Sequence, residues 1–118
     1  MKTLIVGASA HKERYAYKAL TMLIFYGHEV VAFSQKKEQV CDVMFMQDFS
    51  TFDEIHTITI YLNPIAQMAY YEDIIKLQPV RVIFNPGTEN PDFYQKLNEN
   101  NIYYEEACTM VLLRTGQY

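Results

Sequence analysis

The first strand-like run, residues 2–6, is apolar from Leu4 to Val6 and stops at Gly7, and a polar loop, Ala8-Ser9-Ala10-His11-Lys12-Glu13-Arg14, follows it. Beyond the loop Ala16, Ala19, Leu20, Leu23 and Ile24 recur at helical spacing. Apolar residues three and four apart share one face of a 3.6-residue helix, so the spacing predicts a helix over residues 13–26, with Gly27 as a left-handed cap. Residues 29–33 form a second β-rich run, residues 34–39 are polar, and residues 43–45 predict a short third strand. Residues 55–62, rich in β-branched side chains, run into Asn63-Pro64. A capping side chain followed by proline at the first helical position predicts a helix from there to about Leu77. Residues 80–84 read as a strand, Asn85-Pro86-Gly87-Thr88 as a turn, and Asn90-Pro91 as a second capped start, of a helix to residue 98. A strand at residues 102–104 and a helix at residues 107–113 complete the chain.

Strands apolar along their whole length must be covered on both faces, which a parallel sheet alternating with helices provides. The expectation is one doubly wound α/β domain, Rossmann-like, over residues 1–118, with a mainly parallel sheet of five or six strands. Right-handed crossovers put the first strand beside the 55–62 strand in a 3-2-1-4-5 order, and ligands bind such sheets where the order reverses, at the carboxyl ends of the strands. That rule gathers residues 7–14, 34–37, 61–64 and 85–88 onto one edge.

Charge sharpens this picture. Residues 1–40 carry six Lys or Arg against three acids, a net of +3, while residues 41–118 carry four against eleven, a net of −7. An acidic chain with one basic corner suits a small anionic ligand; a nucleic-acid partner would need a broad basic face. No leader pattern and no run of membrane length is visible, so a soluble, cytoplasmic chain without a membrane partner is expected. The two cysteines, Cys41 and Cys108, stand in no metal or disulfide spacing.

The loop after the first strand matches a dinucleotide fingerprint poorly, since Ser9 and Lys12 stand where further glycines would be. Gly7 is read as the position where ligand phosphate approaches the backbone, so a valine there is expected to block binding and leave the domain folded. Arg14 and Lys18, four apart on one helix face, are candidates for a pyrophosphate. After the second strand stand Ser34, Lys36 and Lys37, with no acid before Glu38. A hydroxyl and two ammonium groups suit a phosphorylated ribose, as in NADP or the 3′-phospho-ADP of coenzyme A. Of these two, pantetheine needs a narrow channel with amide partners, which Asn63 and Asn85 offer.

Gly7-Ala8-Ser9 with Arg14-Tyr15 and Lys18, the 27–31 run Gly-His-Glu-Val-Val, the 81–91 run through Asn85-Pro86-Gly87, and Glu105-Glu106-Ala107-Cys108-Thr109 resemble the small stand-alone CoA-binding domain family. Its members are similar in fold to the N-terminal domain of the succinyl-CoA ligase α subunit. The resemblance runs from end to end, and it implies coenzyme A or an acyl-CoA as the ligand. Site residues are then expected at Gly7, Ala8, Ser9, Arg14, Tyr15, Lys18, Ser34, Lys36, Lys37, Asn63, Pro64, Asn85, Pro86 and Gly87. The chain departs from the family at Ser34-Gln35-Lys36-Lys37, where a turn with Pro or Gly is frequent.

Catalytic signals are weak. Cys108 near the start of the last helix follows two glutamates that oppose thiolate formation, and neither His11, His28 nor His56 stands in a triad or metal spacing. Cys108 is expected to be a structural, at least half-buried thiol. The sequence reads as a non-catalytic module binding a small nucleotide ligand, with a homodimer or a partner enzyme subunit as protein partners. An NADP-binding redox or regulatory protein, or an interaction scaffold that has lost its ligand, are the alternatives.

Overall fold

The computed structural model describes residues 2–118, and the first apolar run becomes the central strand, β1 (Lys2–Val6). β2 (Glu29–Phe33) lies parallel on one side of it and β5 (Thr57–Ile60) on the other. β6 (Arg81–Phe84) and β7 (Tyr103–Glu106) extend the sheet beyond β5, and β4 (Val43–Met46) extends it beyond β2, all parallel. β3 (Gln39–Val40) closes the far edge antiparallel to β4, giving the order β3-β4-β2-β1-β5-β6-β7.

The helices are α1 (Tyr15–Phe25), α2 (Pro64–Gln67), α3 (Tyr71–Lys76), α4 (Pro91–Glu99) and α5 (Thr109–Arg114). Successive strand residues point to opposite faces, and both faces are filled. Leu4 and Val6 join Ile58, Ile60, Val82 and Phe84 under Ile74, Phe93 and Leu97 of α3 and α4. Ile5 and Ala32 face the other way, onto Leu20 and Leu23 of α1 and Leu113 of α5. Phe93, wholly buried, stacks on Tyr71 with ring centroids 4.3 Å apart and meets Phe84 edge-on at 5.8 Å. Burying a side chain of this kind contributes about 1.5–3 kcal/mol, so these clusters hold the helices to the sheet.

The expected parallel arrangement and strand order hold, and the chain belongs to the α/β class. Seven strands form, because the polar 34–39 stretch ends in the two-residue β3, which folds back on β4 through a turn with Cys41 at φ 53°. The first helix begins at Tyr15; residues 11–14 form a turn closed by the Arg14 N–H donating to the His11 carbonyl at 3.0 Å. The helix expected from Pro64 to Leu77 is broken at Met68–Tyr70 by a tighter turn. There the apolar Ile65 and Met68 lie exposed while Gln67 is wholly buried, the reverse of what hydrophobicity alone favours.

Candidate ligand-binding cleft

At the carboxyl ends of the strands, β1 passes into Gly7 at φ 96°, and the N–H groups of Gly7 and Ala8 both donate to the Phe33 carbonyl at 3.0 Å. The loop is thereby tied to the end of β2, and these two N–H groups are spent. The His11 N–H donates to Ser9 Oγ at 3.1 Å, and the first intrahelical bond of α1 runs from the Lys18 N–H to the Arg14 carbonyl at 3.2 Å. The N–H groups of Tyr15, Ala16 and Tyr17 precede that bond, with no capping side chain and no acid in the first turn. The anion-attracting donors are therefore those of the helix start, reinforced by the dipole and by Arg14.

Two cavities meet at this point. The larger, about 590 Å³, extends from the loop along the end of β2 to the α2 region; the smaller, about 320 Å³, lies between the start of α1 and the 86–88 turn. Gly7, Ser9, Arg14 and Asn63 line both. Ala8, Ser34 and Lys36 line only the larger, and Tyr15, Pro86 and Gly87 only the smaller. Lys18, Lys37, Pro64 and Asn85 line neither. Lys18 instead extends its ammonium over the Tyr15 ring, 5.6 Å from the centroid. Asn63 caps α2, its Oδ1 accepting from the Ala66 N–H at 2.9 Å, and it lines both cavities with its Nδ2 uncommitted within the fold.

Asn85 does not act as a ligand-facing amide, because its side chain is fully committed inside the fold. Its Nδ2 donates to Thr59 Oγ1 at 2.6 Å and to the Ile60 carbonyl at 2.9 Å, and its Oδ1 accepts from the Thr109 N–H at 2.9 Å. It locks the ends of β5 and β6 to the start of α5. Asn85→Ala leaves the Ile60 carbonyl and the Thr109 N–H buried without partners, each at a cost of about 1–3 kcal/mol. A loss of about 3 kcal/mol in urea unfolding is expected, and an unchanged midpoint would contradict this role.

Gln67 holds the cleft walls together in a similar way. Its Nε2 donates to the carbonyls of Leu62 and Thr88, both at 2.8 Å, and its Oε1 accepts from Asn90 Nδ2 at 2.9 Å. The 61–63 segment and the 85–88 turn are thus fixed relative to one another by a wholly buried amide. A cleft pre-set in this way loses little entropy on binding.

Several lining residues carried no sequence motif. Tyr61 lines both cavities, while Gln35, Leu62 and Tyr70 line the larger one. The switch-point rule covers the positions of Gln35, Tyr61 and Leu62 without distinguishing them, and nothing in the pattern marks Tyr70. The Tyr61 hydroxyl is buried without a hydrogen-bond partner among the described residues, although the Thr59 and Thr109 hydroxyls, bonded to each other at 2.8 Å, lie nearby. Burial pushes the Tyr61 phenol well above its ordinary range, so it is neutral at physiological pH and forms a wall of the cleft rather than a base. Glu38 stands on the wall with Lys36, and His11 lines the larger cavity near Arg14.

Cys108 is half-buried at the residue before α5, and Cys41 is exposed; both are free thiols. Among the described residues no three His, Cys, Asp or Glu side chains are grouped to hold a metal ion. No helix among them is long and apolar enough to cross a membrane.

A family model described as "CoA binding domain" matches residues 1–114. A crystal structure of an uncharacterized protein, 40% identical, superposes with a TM-score of 0.93 over 99% of this chain and 97% of that one. A hypothetical protein from Pyrococcus horikoshii OT3, 25% identical, gives a TM-score of 0.79 over 95% of this chain and 81% of its own. A Thermus thermophilus protein at 20% identity shares the fold, with a TM-score of 0.83 over 99% and 90% of the two chains. No curated protein matches the chain.

Proposed function

The chain belongs to the CoA-binding domain family, and from that premise we propose that its cleft binds coenzyme A or an acyl-CoA as a non-catalytic module. The observation that carries this reading is the uncapped start of α1, with Arg14 beside it, opening where the two cavities join. A ligand with an anionic middle and two arms fits that shape. The pyrophosphate is held by the helix-start N–H groups, Ser9 and Arg14. The adenosine end lies in the larger cavity with Ala8, Ser34 and Lys36, and pantetheine lies in the smaller with Tyr15, Asn63, Pro86 and Gly87. Gly7 lets the chain turn sharply enough to form the floor between them. When bound, the cofactor supplies a thiol on which an acyl group is carried; the protein's part is to hold and orient it.

Lys36 favours a phosphorylated ribose, while Glu38 on the same wall favours a free hydroxyl, so the ribose phosphate is the discriminating group. An exposed charge pair is worth about 0.2–1 kcal/mol, so CoA is expected to bind several-fold more tightly than dephospho-CoA. Lys36→Ala should erase that gap, and Lys37→Ala should leave it. Calorimetric titration with CoA, dephospho-CoA and NADP checks this. Tighter binding of NADP than of CoA would favour a redox or regulatory role, and no heat with any of the three would overturn the reading.

A further inference from the structure

Gln35, on the loop after β2, and Tyr70, on the turn between α2 and α3, both line the larger cavity, and Gln35 Nε2 donates to the Tyr70 hydroxyl at 2.8 Å. The Tyr70 ring and the backbone on either side of Gln35 are positioned by their surroundings. The Tyr70 ring lies edge-on to Phe33 at 4.8 Å and tilted against Phe49 at 5.5 Å, which sets where its hydroxyl sits. The loop is clamped on either side of Gln35 by Gln47. Gln47 Nε2 donates to the carbonyls of Ser34 at 3.2 Å and Lys36 at 3.3 Å, and also to that of Phe45 at 2.8 Å. Phe33, Leu62, Ile65 and Ala69 line the same cavity and give it apolar surface suited to a flat ring.

We propose that Gln35 and Tyr70 read the nucleobase of the ligand and select a 6-aminopurine over a 6-oxopurine. One Nε2 hydrogen goes to Tyr70, and Gln35 presents Oε1 as an acceptor. Tyr70 accepts that bond and keeps its own O–H as a donor. An acceptor beside a donor complements the exocyclic amino group of adenine and the ring nitrogen next to it. A 6-oxopurine sets a carbonyl oxygen against Gln35 Oε1, two acceptors facing each other, and the ligand covering them denies both a water partner. The inference rests on the larger cavity taking the nucleoside end of CoA, and it is independent of what the thiol arm carries.

The test is calorimetric titration of adenosine 3′,5′-bisphosphate and inosine 3′,5′-bisphosphate, with CoA as a control for an intact cleft. Wild type is expected to prefer the adenosine compound about tenfold, the worth of one hydrogen bond made or lost. Tyr70→Phe keeps the aromatic packing and Gln35→Met keeps the side-chain length; both should lose most of the preference, with CoA weakened by about the same factor as the adenosine compound. Thermal midpoints of the two variants report whether the fold is retained. Equal affinity for the two bisphosphates in wild type, a preference for inosine, or a preference unchanged in both variants would overturn the assignment while CoA still binds. If wild type binds none of the three compounds, the reading of the cleft has failed and this inference falls with it.

Discussion

Gly7→Val is expected to destabilise the domain strongly. At φ 96° the backbone is in a region that β-branched residues avoid, at a cost of about 1–3 kcal/mol. A Cβ there would lie 2.9 Å from Leu62 Cδ2, 3.0 Å from Leu62 Cγ and 3.1 Å from the Tyr61 carbonyl carbon, between β1 and the segment after β5. The Leu62 side chain must shift, the Tyr61 backbone has little room to follow, and overpacking of this kind costs about a further 1–3 kcal/mol. The sum is a large share of the stability of a typical domain, about 5–15 kcal/mol. The glycine is thus required by the chain's own turn, and to the sequence-based expectation of a folded variant that no longer binds this adds a loss of stability. Gly87→Ala is the matched control. It also has positive φ, 92°, but open space around its Cβ, so only the backbone term of about 1–2 kcal/mol remains. Urea unfolding monitored by circular dichroism orders the two, and a Gly7→Val midpoint at or above that of Gly87→Ala would refute the steric argument.

Arg14→Glu is expected to reduce CoA affinity about ten- to a hundredfold, the value of a charge-assisted hydrogen bond to phosphate, about 1.5–3 kcal/mol, with reversal of charge adding repulsion. Arg14 is exposed, makes no ion pair among the described residues, and lines both cavities where they join. An acid at a helix start is compatible with the dipole, so stability should hold while binding falls. Lys18→Glu, one turn further on and outside both cavities, separates a local contact from a general field effect. Its affinity should change little at physiological salt, where exposed charges are screened over about 8 Å. Equal losses in the two variants would show that Arg14 acts only through net charge.

The parallel core of the sheet was legible because its strands are short apolar runs bounded by Gly, Asn and Pro, and both capped helix starts, Asn63-Pro64 and Asn90-Pro91, formed with the side chain of the asparagine accepting a helix N–H. The edge on which the cleft lies followed from strand order alone. What the pattern did not carry was the use of each polar side chain. Asn85 and Asn63 look alike as amides at strand ends, yet one is wholly engaged by β5 and α5 and the other faces the cleft. Gln67 and Gln47 stand in no motif, and each proves to be a clamp on a cleft wall through bonds to backbone far away in sequence. Lys37 sits between two lining residues in the chain yet outside the cavities, because one loop step rotates a side chain away, and Lys18 lies a turn beyond the part of α1 that reaches the cleft. Tyr70 owes its place to the break between α2 and α3, which no local signal announced.

Binding of CoA in the cleft at the start of α1 is tested most directly by native mass spectrometry of wild type and Arg14→Glu at matched concentrations of added CoA. One CoA per chain is expected on the wild-type protein, with occupancy sharply reduced on the folded variant. No CoA adduct on wild type, or the same occupancy on both proteins, would contradict the assignment.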